Sequence, residues 1–345
     1  MGDLVSILVP AFNAERWIRD TMLSAINQTW PNKELIVVDD GSTDNTFKVA
    51  KQLESTNVKV ITQHNTGACG ARNNALQIAQ GDYIQWLDAD DLLDPNKITL
   101  QLRRKDGGRD SRTFLTAAWG SFFFCTNRAH FRQDALWRDM APIDWITTKF
   151  AENVWMNPTA WLVSRRLTDL AGPWDGRLSL SGDDDGEYVC RVVGASEGVR
   201  FIPEARCYYR IGNVGSLNWE MGRSDKRLES LLLSLELSVK HLRSLEDSDR
   251  TRAACLKLLE TWLPLYYAEK PELSQRLNAL ALQLGGTLGQ PRISWKYYPV
   301  EALLGPGAAK KVMNSWRKRK LLLQKQWDGV LYRMQGAGQN NQKAA

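Results

Sequence analysis

The sequence predicts an α/β fold in which a mainly parallel sheet is flanked by helices, with an α-helical extension at the C-terminus. In the first 95 residues, short β-branched apolar runs alternate with amphipathic segments of helical period. Such alternation implies right-handed βαβ crossovers and therefore parallel strands. After residue 222 the pattern is helical alone. Hydrophobic residues make up 43% of the chain and charged residues 24%, which is typical of a globular protein.

Four strands and three helices are predicted in this first part. The predicted strands are Leu4–Val9, Glu34–Val38, Val58–Thr62 and Tyr83–Leu87. The predicted helices are Ala14–Gln28, Asn45–Leu53 and Ala68–Ala79, and the first of them carries Ile18, Met22 and Ile26 on one face. Because ligands bind at the carboxyl ends of parallel strands, the loops that follow the strands are the predicted site.

The chain divides into three predicted parts. The first part is a domain that spans residues 1–221. Its first half is residues 1–95, and its second half, residues 96–221, contains a strand from Thr113 and a Trp-rich stretch. Residues 222–290 form a helical region, with helices near Ser224–Leu245, Asp247–Tyr267 and Pro271–Leu284. Residues 291–345 form a connector and a basic amphipathic helix near Ala309–Gln335.

The net charge of +6 is concentrated near the C-terminus. Gly305–Gln335 contains eight Lys and Arg residues against one acidic residue, so the remainder is close to neutral. This basicity therefore gives no indication that the main domain binds nucleic acid. The five cysteines are scattered, without a C-x-x-C pair, which favours reduced thiols and a cytoplasmic location. The first residues lack the pattern of a signal peptide.

Three carboxylates follow the fourth predicted strand, at Asp88, Asp90 and Asp91. Carboxylates this close repel one another unless a cation lies between them. Mg and Mn take oxygen ligands of this kind and bridge to substrate phosphates. A solvated turn is the alternative interpretation of a D-x-D pattern. Polar residues also follow the other three strands, and a parallel sheet brings all four loops to one edge, which favours a site.

Four ordered motifs resemble those of family-2 glycosyltransferases with the nucleotide-sugar-binding GT-A fold. They are VPAFN (9–13), ELIVVDDGSTD (34–44), NTGACGARN (65–73) and LDADD (87–91), and the resemblance covers about Leu4–Arg210. It implies an inverting hexosyltransferase-like enzyme of polysaccharide biosynthesis that moves one sugar from a nucleotide-diphosphate sugar to a hydroxyl. The expected donor is a UDP- or dTDP-sugar, and the expected acceptor is a saccharide or a lipid-linked glycan. The absence of a Q-x-x-R-W motif favours single-sugar transfer over processive synthesis.

The resemblance implies a role for each matching residue. The nucleotide sugar would be bound by Pro10, Ala11, Asn13, Glu15, Asp39, Asp40, Arg72, Asp88 and Asp90. Asp40 would accept a hydrogen bond from the base, supported by Asp39. A divalent metal, Mg or Mn, would be held by Asp90, Asp91 and Asp88. In the segment SGDDDGE (181–187), Asp185 would be the general base, with Asp184 as the second candidate.

Some features leave alternatives open. Asp183 or Asp184 could cap a helix instead of serving catalysis. Many family members carry a His after the segment that matches Tyr208–Arg210, whereas this chain has Ile211 and Gly212, so a third metal ligand stays open. A sugar-phosphate nucleotidyltransferase would carry a Gly-rich loop after its first strand, which is absent here. A non-catalytic nucleotide-sugar or glycan-binding protein is a further alternative, disfavoured by the two acidic clusters.

Aromatic residues suggest two further surfaces. Trp155, Trp161 and Trp174 precede the acidic cluster at 183–185 and could stack on an acceptor sugar, although Trp is more often part of the core. In the final predicted helix an apolar stripe recurs at helical spacing: Val312, Trp316, Leu323, Trp327, Val330 and Met334. This stripe could lie on an anionic membrane surface, giving peripheral attachment, or pack on the preceding helices.

Overall fold

The main sheet confirms the predicted parallel α/β architecture. The computed structural model describes residues 2–105, 111–212, 224–266, 270–289 and 322–333, with isolated positions between 300 and 319. The main sheet consists of β1 (Val5–Ala11), β2 (Lys33–Asp39), β3 (Val58–Thr62), β4 (Tyr83–Trp86) and β8 (Val163–Ser164), in the order β3-β2-β1-β4-β8. The first four strands are parallel and β8 is antiparallel to β4.

Helices cover the main sheet, which explains why its strands are apolar runs and not alternating patterns. These helices are α1 (Ile18–Ile26), α2 (Thr46–Lys51) and α3 (Gly67–Ile78). Helix α1 buries Ile18 and Met22, as its periodicity predicts, while Ile26 is half-buried. The register pairs Ala11 with Asp39 and Asp39 with Thr62, so these strands reach the same edge of the sheet at the same level.

A second, smaller sheet completes this part of the molecule. Its strands are β5 (Leu92–Leu93), β6 (Thr113–Phe122), β7 (His130–Phe131) and β9 (Gly198–Arg210), in the order β5-β9-β6-β7. The helices in this half are α4 (Lys97–Arg103), α5 (Pro142–Ala151), α6 (Arg165–Ala171) and α7 (Asp184–Ala195). The pairing of β5 with β9 places Leu92 beside Tyr208, so the end of β9 lies next to the acidic turn that precedes β5.

The predicted helical region follows as α8 (Asp225–Leu245), α9 (Asp249–Tyr266) and α10 (Pro271–Gln283). Helix α8 packs on α7, which carries the second acidic cluster. Ser234 Oγ of α8 donates to the carbonyl oxygen of Asp183 at 2.8 Å. His241 Nε2 lies 3.0 Å from Glu187 Oε1. The helical region therefore supports the N-terminal end of α7 directly.

The final predicted helix is described in part. Residues 322–333 are helical and are called α11 here, whereas most of the rest of Ala309–Gln335 lies outside the described residues. Within the described parts of the chain, each helix is too short or too polar to cross a membrane.

Candidate active site

Asp40 ties the loops after β2 and β3 together. It is 3% exposed, and its Oδ1 accepts hydrogen bonds from Gln63 Nε2 at 2.7 Å and from the Thr66 amide at 2.9 Å. Its Oδ2 accepts from the Gly67 amide at 2.9 Å. Gly67 has a φ of +81°, and a Cβ there would lie 2.5 Å from Ser179 Cβ, so this position requires glycine. Asp40 therefore shapes the site by fixing the loop that starts α3.

Asp39, its neighbour, has an oxygen without a donor. Its Oδ2 accepts from Thr62 Oγ1 at 3.0 Å. Its Oδ1 is buried and has no hydrogen-bond partner among the residues that the structure describes. A buried carboxylate oxygen without a donor is unfavourable, and an N–H group of a ligand would relieve this. The base contact that the resemblance implies for Asp40 stays a prediction, and the unpaired Oδ1 makes Asp39 the alternative acceptor.

Asn13 and Glu15 join the loop after β1 to the loop after β2. Asn13 has a φ of +49°, and its Oδ1 accepts from the Thr43 amide at 2.8 Å. Glu15 Oε2 accepts from the Asn45 amide at 2.9 Å. Pro10 is half-buried and Ala11 is buried at the end of β1, beside these loops. These four residues, which are predicted to bind the nucleotide, thus lie together, and Asn13 and Glu15 hold the two loops in place.

The carboxylates of LDADD have two different environments. Strand β4 ends at Trp86, and Asp88–Asp91 form a turn closed by a 3.0 Å hydrogen bond from the Asp91 amide to the Asp88 carbonyl. Asp88 and Asp90 are half-buried, whereas Asp91 is fully buried. The turn therefore presents one pair of carboxylates near the surface and holds the third inside.

Asp91 connects the turn to the second sheet. Its carboxylate accepts from Asn157 Nδ2 at 2.7 Å, from Thr159 Oγ1 at 3.0 Å and from the Arg210 amide at 2.8 Å. Burial, and then the charges of Asp90 and Asp88, raise the pKa of Asp91 well above its usual value. The metal-ligand role of Asp91 stays a prediction, and the role visible in the structure is to anchor the turn.

Arg72 lies at the centre of the site and bridges the two acidic motifs. Its Nη2 donates to Asp88 Oδ1 at 3.1 Å and its Nη1 donates to Asp184 Oδ2 at 2.5 Å. Its guanidinium carbon lies 4.3 Å from the ring centroid of Trp174. Burial lowers the pKa of Arg72, but the carboxylates of Asp184 and Asp88 outweigh burial and raise the pKa above its usual value. Arg72 is therefore a fixed cation at the site.

The carboxylates of the second acidic cluster, Asp183–Asp185, also have different environments. Asp184 is 6% exposed, and besides Arg72 it accepts a hydrogen bond from Cys69 Sγ at 3.4 Å. Asp183 is at the N-cap position of α7 but its side chain caps no backbone N–H there, so the capping interpretation is not what the structure shows for Asp183. Asp185 is half-buried in the first turn of α7. Burial, followed by the charges of Asp183 and Asp184, raises the pKa of Asp185 well above its usual value.

Of the three tryptophans considered from the sequence, Trp155 alone is exposed. Trp161 and Trp174 are buried in the core, and Trp174 supports Arg72. Trp155 is 39% exposed, with its ring centroid 4.8 Å from that of Trp119 and 5.2 Å from that of Tyr209. It lies two positions before Asn157, which binds Asp91, so an aromatic surface adjoins the acidic turn.

Sequence reasoning missed the residues that hold the acidic turn. Arg210 Nε donates to the Asp90 carbonyl at 2.7 Å, and Arg210 Nη1 donates to the Phe123 carbonyl at 2.8 Å. Asn157 and Thr159 bind Asp91 from a loop that carries no recognisable motif. The position of Arg210 at the end of a strand was the one available signal, because strand ends collect at the site.

Known proteins resemble this chain in sequence. The sequence model "Glycosyl transferase family 2" matches residues 6–138. The chain is 46% identical over 101 residues to the UDP-Glc:alpha-D-GlcNAc-diphosphoundecaprenol beta-1,3-glucosyltransferase WfgD of Escherichia coli, covering 29% of this chain and 40% of WfgD. It is 31% identical over 267 residues to the glycosyltransferase GlyG of Streptococcus pneumoniae, covering 70% of this chain and 86% of GlyG.

A solved structure has the same fold. Staphylococcus aureus TarS residues 1–349 in complex with UDP-GlcNAc superimposes with a TM-score of 0.62 at 15% identity, covering 82% of this chain and 81% of TarS 1–349. For the first curated relatives the match spans less than half of their own length, 48% and 40% for the first two. GlyG, in contrast, is matched over most of its length. With the parallel sheet and the four ordered motifs at its edge, this shows that the chain is a glycosyltransferase of family 2 with a GT-A fold.

Proposed function

We propose that this enzyme transfers a single sugar from a nucleoside-diphosphate sugar to a hydroxyl acceptor, with inversion at the anomeric carbon and with Asp185 as the general base. The observation that carries the proposal is the bridge formed by Arg72. The guanidinium of Arg72 contacts two carboxylates. One is Asp88, in the turn that would face the diphosphate, and the other is Asp184, the neighbour of the proposed base. The leaving group and the attacking hydroxyl of one displacement must lie within such a short span.

The reaction assigns a task to each group. The acceptor hydroxyl attacks the anomeric carbon, its proton passes to Asp185, and the bond from that carbon to the diphosphate oxygen breaks with its electron pair on the diphosphate. A carboxylate with a raised pKa is a stronger proton acceptor than an ordinary one, which suits Asp185 to this role. Arg72 supplies a fixed positive charge near the diphosphate that leaves.

The donor set of the acidic turn fits a divalent cation of the Mg or Mn type. Among the described residues, no group of three or more His, Cys, Asp and Glu side chains is arranged to hold a metal. Mg²⁺ is commonly bound through one or two carboxylates together with substrate phosphates and water. Asp88 and Asp90, both half-buried, would supply those carboxylates. The cation would neutralise charge on the diphosphate.

The names of the relatives support a UDP-sugar donor. TarS was crystallised with UDP-GlcNAc, and the name of WfgD specifies UDP-Glc and a sugar linked through diphosphate to undecaprenol. We therefore propose a UDP-sugar donor and a saccharide or lipid-linked glycan acceptor for this chain, acting from the cytoplasmic side. Asp39, with its buried Oδ1 lacking a donor, would accept a hydrogen bond from the base.

The test combines a donor panel with one substitution. The purified protein is incubated with UDP-, dTDP- and GDP-sugars, with and without Mn²⁺, and donor binding and sugar release are measured. Asp185→Asn should keep donor binding within about two-fold and lower sugar transfer at least about 100-fold, the usual contribution of a general base. Asp169→Asn, the same change at an exposed position of α6, is the control. Near-normal transfer by Asp185→Asn would remove this residue from the base role.

A further inference from the structure

Helix α11 is fixed to the catalytic domain by one side. Asp328 Oδ2 accepts hydrogen bonds from the amides of Phe124 at 3.0 Å and Cys125 at 3.4 Å. Lys325 Nζ donates to the Gly212 carbonyl at 2.5 Å, and the ring of Tyr332 lies 5.9 Å from that of Phe124. These contacts place the polar Asp328, and not the apolar stripe of the helix, against the protein.

The opposite side of α11 is apolar and exposed. Leu323 and Trp327 are each 66% exposed and Val330 is 40% exposed. Their spacing of four and then three residues puts all three on one face of the helix. Trp316, which belongs to the same stripe in the sequence, is 64% exposed. The alternative in which the stripe packs on the preceding helices is wrong for these described members, because a packed face would be covered.

The positive charge around this apolar face indicates which kind of surface would bind it. Gly305–Gln335 contains eight Lys and Arg residues against one acidic residue, and that acid, Asp328, is turned inward. Arg319 and Arg333 are exposed. A second copy of the chain would bring an equally basic segment to the contact, which is repulsive. Trp and Leu side chains flanked by cations match a bilayer with anionic headgroups, where the rings enter the interface and the cations meet the lipid charge.

The position of α11 connects this face to the active site. Asp328 binds the amide of Phe124, and the carbonyl of the preceding residue, Phe123, accepts a hydrogen bond from Arg210. Arg210 also donates to the Asp90 carbonyl of the acidic turn. Arg210 further lies over the rings of Trp17 and Phe122, with its guanidinium carbon 4.1 and 4.3 Å from their centroids. A surface bound to α11 would therefore be held next to the end of the catalytic domain that carries the turn.

We propose that the outward face of α11, formed by Leu323, Trp327 and Val330, binds the surface of a bilayer that contains anionic lipid. The helix lies in the interface while Asp328 keeps it attached to the catalytic domain. The inference does not depend on the identity of the donor or acceptor, since it concerns the bare protein and lipid. The bilayer could therefore be bound even if the proposed reaction were wrong.

The experiment is flotation of the full-length protein with vesicles, without nucleotide sugar. Wild type should float at least five-fold more with phosphatidylcholine–phosphatidylglycerol vesicles than with phosphatidylcholine alone, and high salt should reduce the difference. Leu323→Glu combined with Trp327→Glu should abolish flotation. Leu282→Glu is the matched control, because Leu282 is 64% exposed on α10, and it should float like wild type. The melting temperature of each variant shows that it is folded.

Each result decides the inference. Equal flotation of the double variant and Leu282→Glu would overturn it, as would no flotation of wild type. Light scattering is run on the same samples to detect the alternative occupant. A wild-type dimer that becomes a monomer in the double variant, with no flotation of either, would mean that the face binds a second copy and would also overturn the inference. Arg319→Gln combined with Arg333→Gln should reduce the preference for phosphatidylglycerol.

Discussion

Asp88 and Asp184 accept hydrogen bonds from the two terminal nitrogens of a single guanidinium, that of Arg72, at 3.1 and 2.5 Å. The first carboxylate belongs to the turn after β4 and the second begins α7, so the bridge joins the edge of the main sheet to the helix that carries the second acidic cluster. The ion pair with Asp184 is buried, with both side chains 7% exposed. Removing one partner while the other stays buried would leave a charge unpaired in a medium of low polarity, which is strongly unfavourable.

Replacement of Arg72 should affect stability and activity to different degrees. Arg72→Ala leaves Asp184 buried without its partner and should lower the free energy of unfolding by about 3 kcal/mol. Arg72→Lys keeps the charge but cannot contact both carboxylates in the same way, so it should destabilise less while still lowering sugar transfer at least about ten-fold. Urea unfolding and a transfer assay measure the two effects.

Arg177→Lys serves as the control for this pair of variants, since Arg177 forms an exposed ion pair with Asp175. It should change the free energy of unfolding by less than about 0.5 kcal/mol. Transfer by Arg72→Lys at the wild-type rate would contradict the view that the bridge positions the site.

Asp39 and Asp40 should respond differently to the same substitution. Asp40→Asn removes one carboxylate oxygen from a group that holds Gln63 and the amides of Thr66 and Gly67, and should cost about 2 kcal/mol of stability. Asp39→Asn should leave stability nearly unchanged, because one of its oxygens has no donor, but should weaken UDP binding about ten-fold. Urea unfolding and calorimetric titration with UDP separate the two. The reverse result, with weakened UDP binding in a stable Asp40→Asn protein, would restore the assignment made from the sequence.

The contrast between these neighbours shows where sequence reasoning ends. The main strands and helices of the first 95 residues are predictable because the spacing of apolar residues along the chain shows whether one face of an element or both faces are buried. The motif DDGSTD also predicts which loop would bind the nucleotide. Which of Asp39 and Asp40 is satisfied internally depends on Gln63 and Gly67, which no local pattern connects to them.

The acidic turn gives the same lesson. From the sequence, Asp88, Asp90 and Asp91 form one group of candidate metal ligands, whereas in the structure they lie in a turn and Asp91 alone is fully buried. The environment of Asp91 is decided by Asn157 in a loop far along the chain. Such long-range contacts set the pKa and the role of a carboxylate, and they follow from the tertiary fold alone.

Lys97 should make the stability of the protein depend on pH. Its side chain is fully buried, and burial lowers its pKa from 10.5 to about 7. Its Nζ donates to Gln85 Oε1 at 2.5 Å and to Gln101 Oε1 at 2.8 Å. Between pH 7 and 10.5 the unfolded chain keeps a proton on Lys97 that the folded chain has lost. The free energy of unfolding should therefore rise with pH in this window, by up to about 1.4 kcal/mol per pH unit.

The measurement compares wild type with Lys97→Met by urea unfolding from pH 6.5 to 9.5. The buried thiols act in the opposite direction, since burial raises the pKa of Cys207 to about 12. The difference between the two proteins cancels much of that contribution and should increase with pH in favour of wild type. A difference that stays flat would mean that Lys97 is charged in the folded protein over the whole range.

Trp155 should contribute to binding of the acceptor. Its ring is 39% exposed and rests against Trp119 and Tyr209, beside the loop that holds Asp91. A sugar ring that packs on this surface would gain about 1 kcal/mol, the scale of an aromatic contact beyond its buried area. Trp155→Ala should therefore raise the KM for the acceptor about five-fold, while Trp155→Phe keeps most of the wild-type value. The KM for the donor and the melting temperature should change little in either variant, because Trp155 lies at the surface and is not among the residues proposed to bind the donor. An unchanged acceptor KM in Trp155→Ala would place the acceptor on another surface.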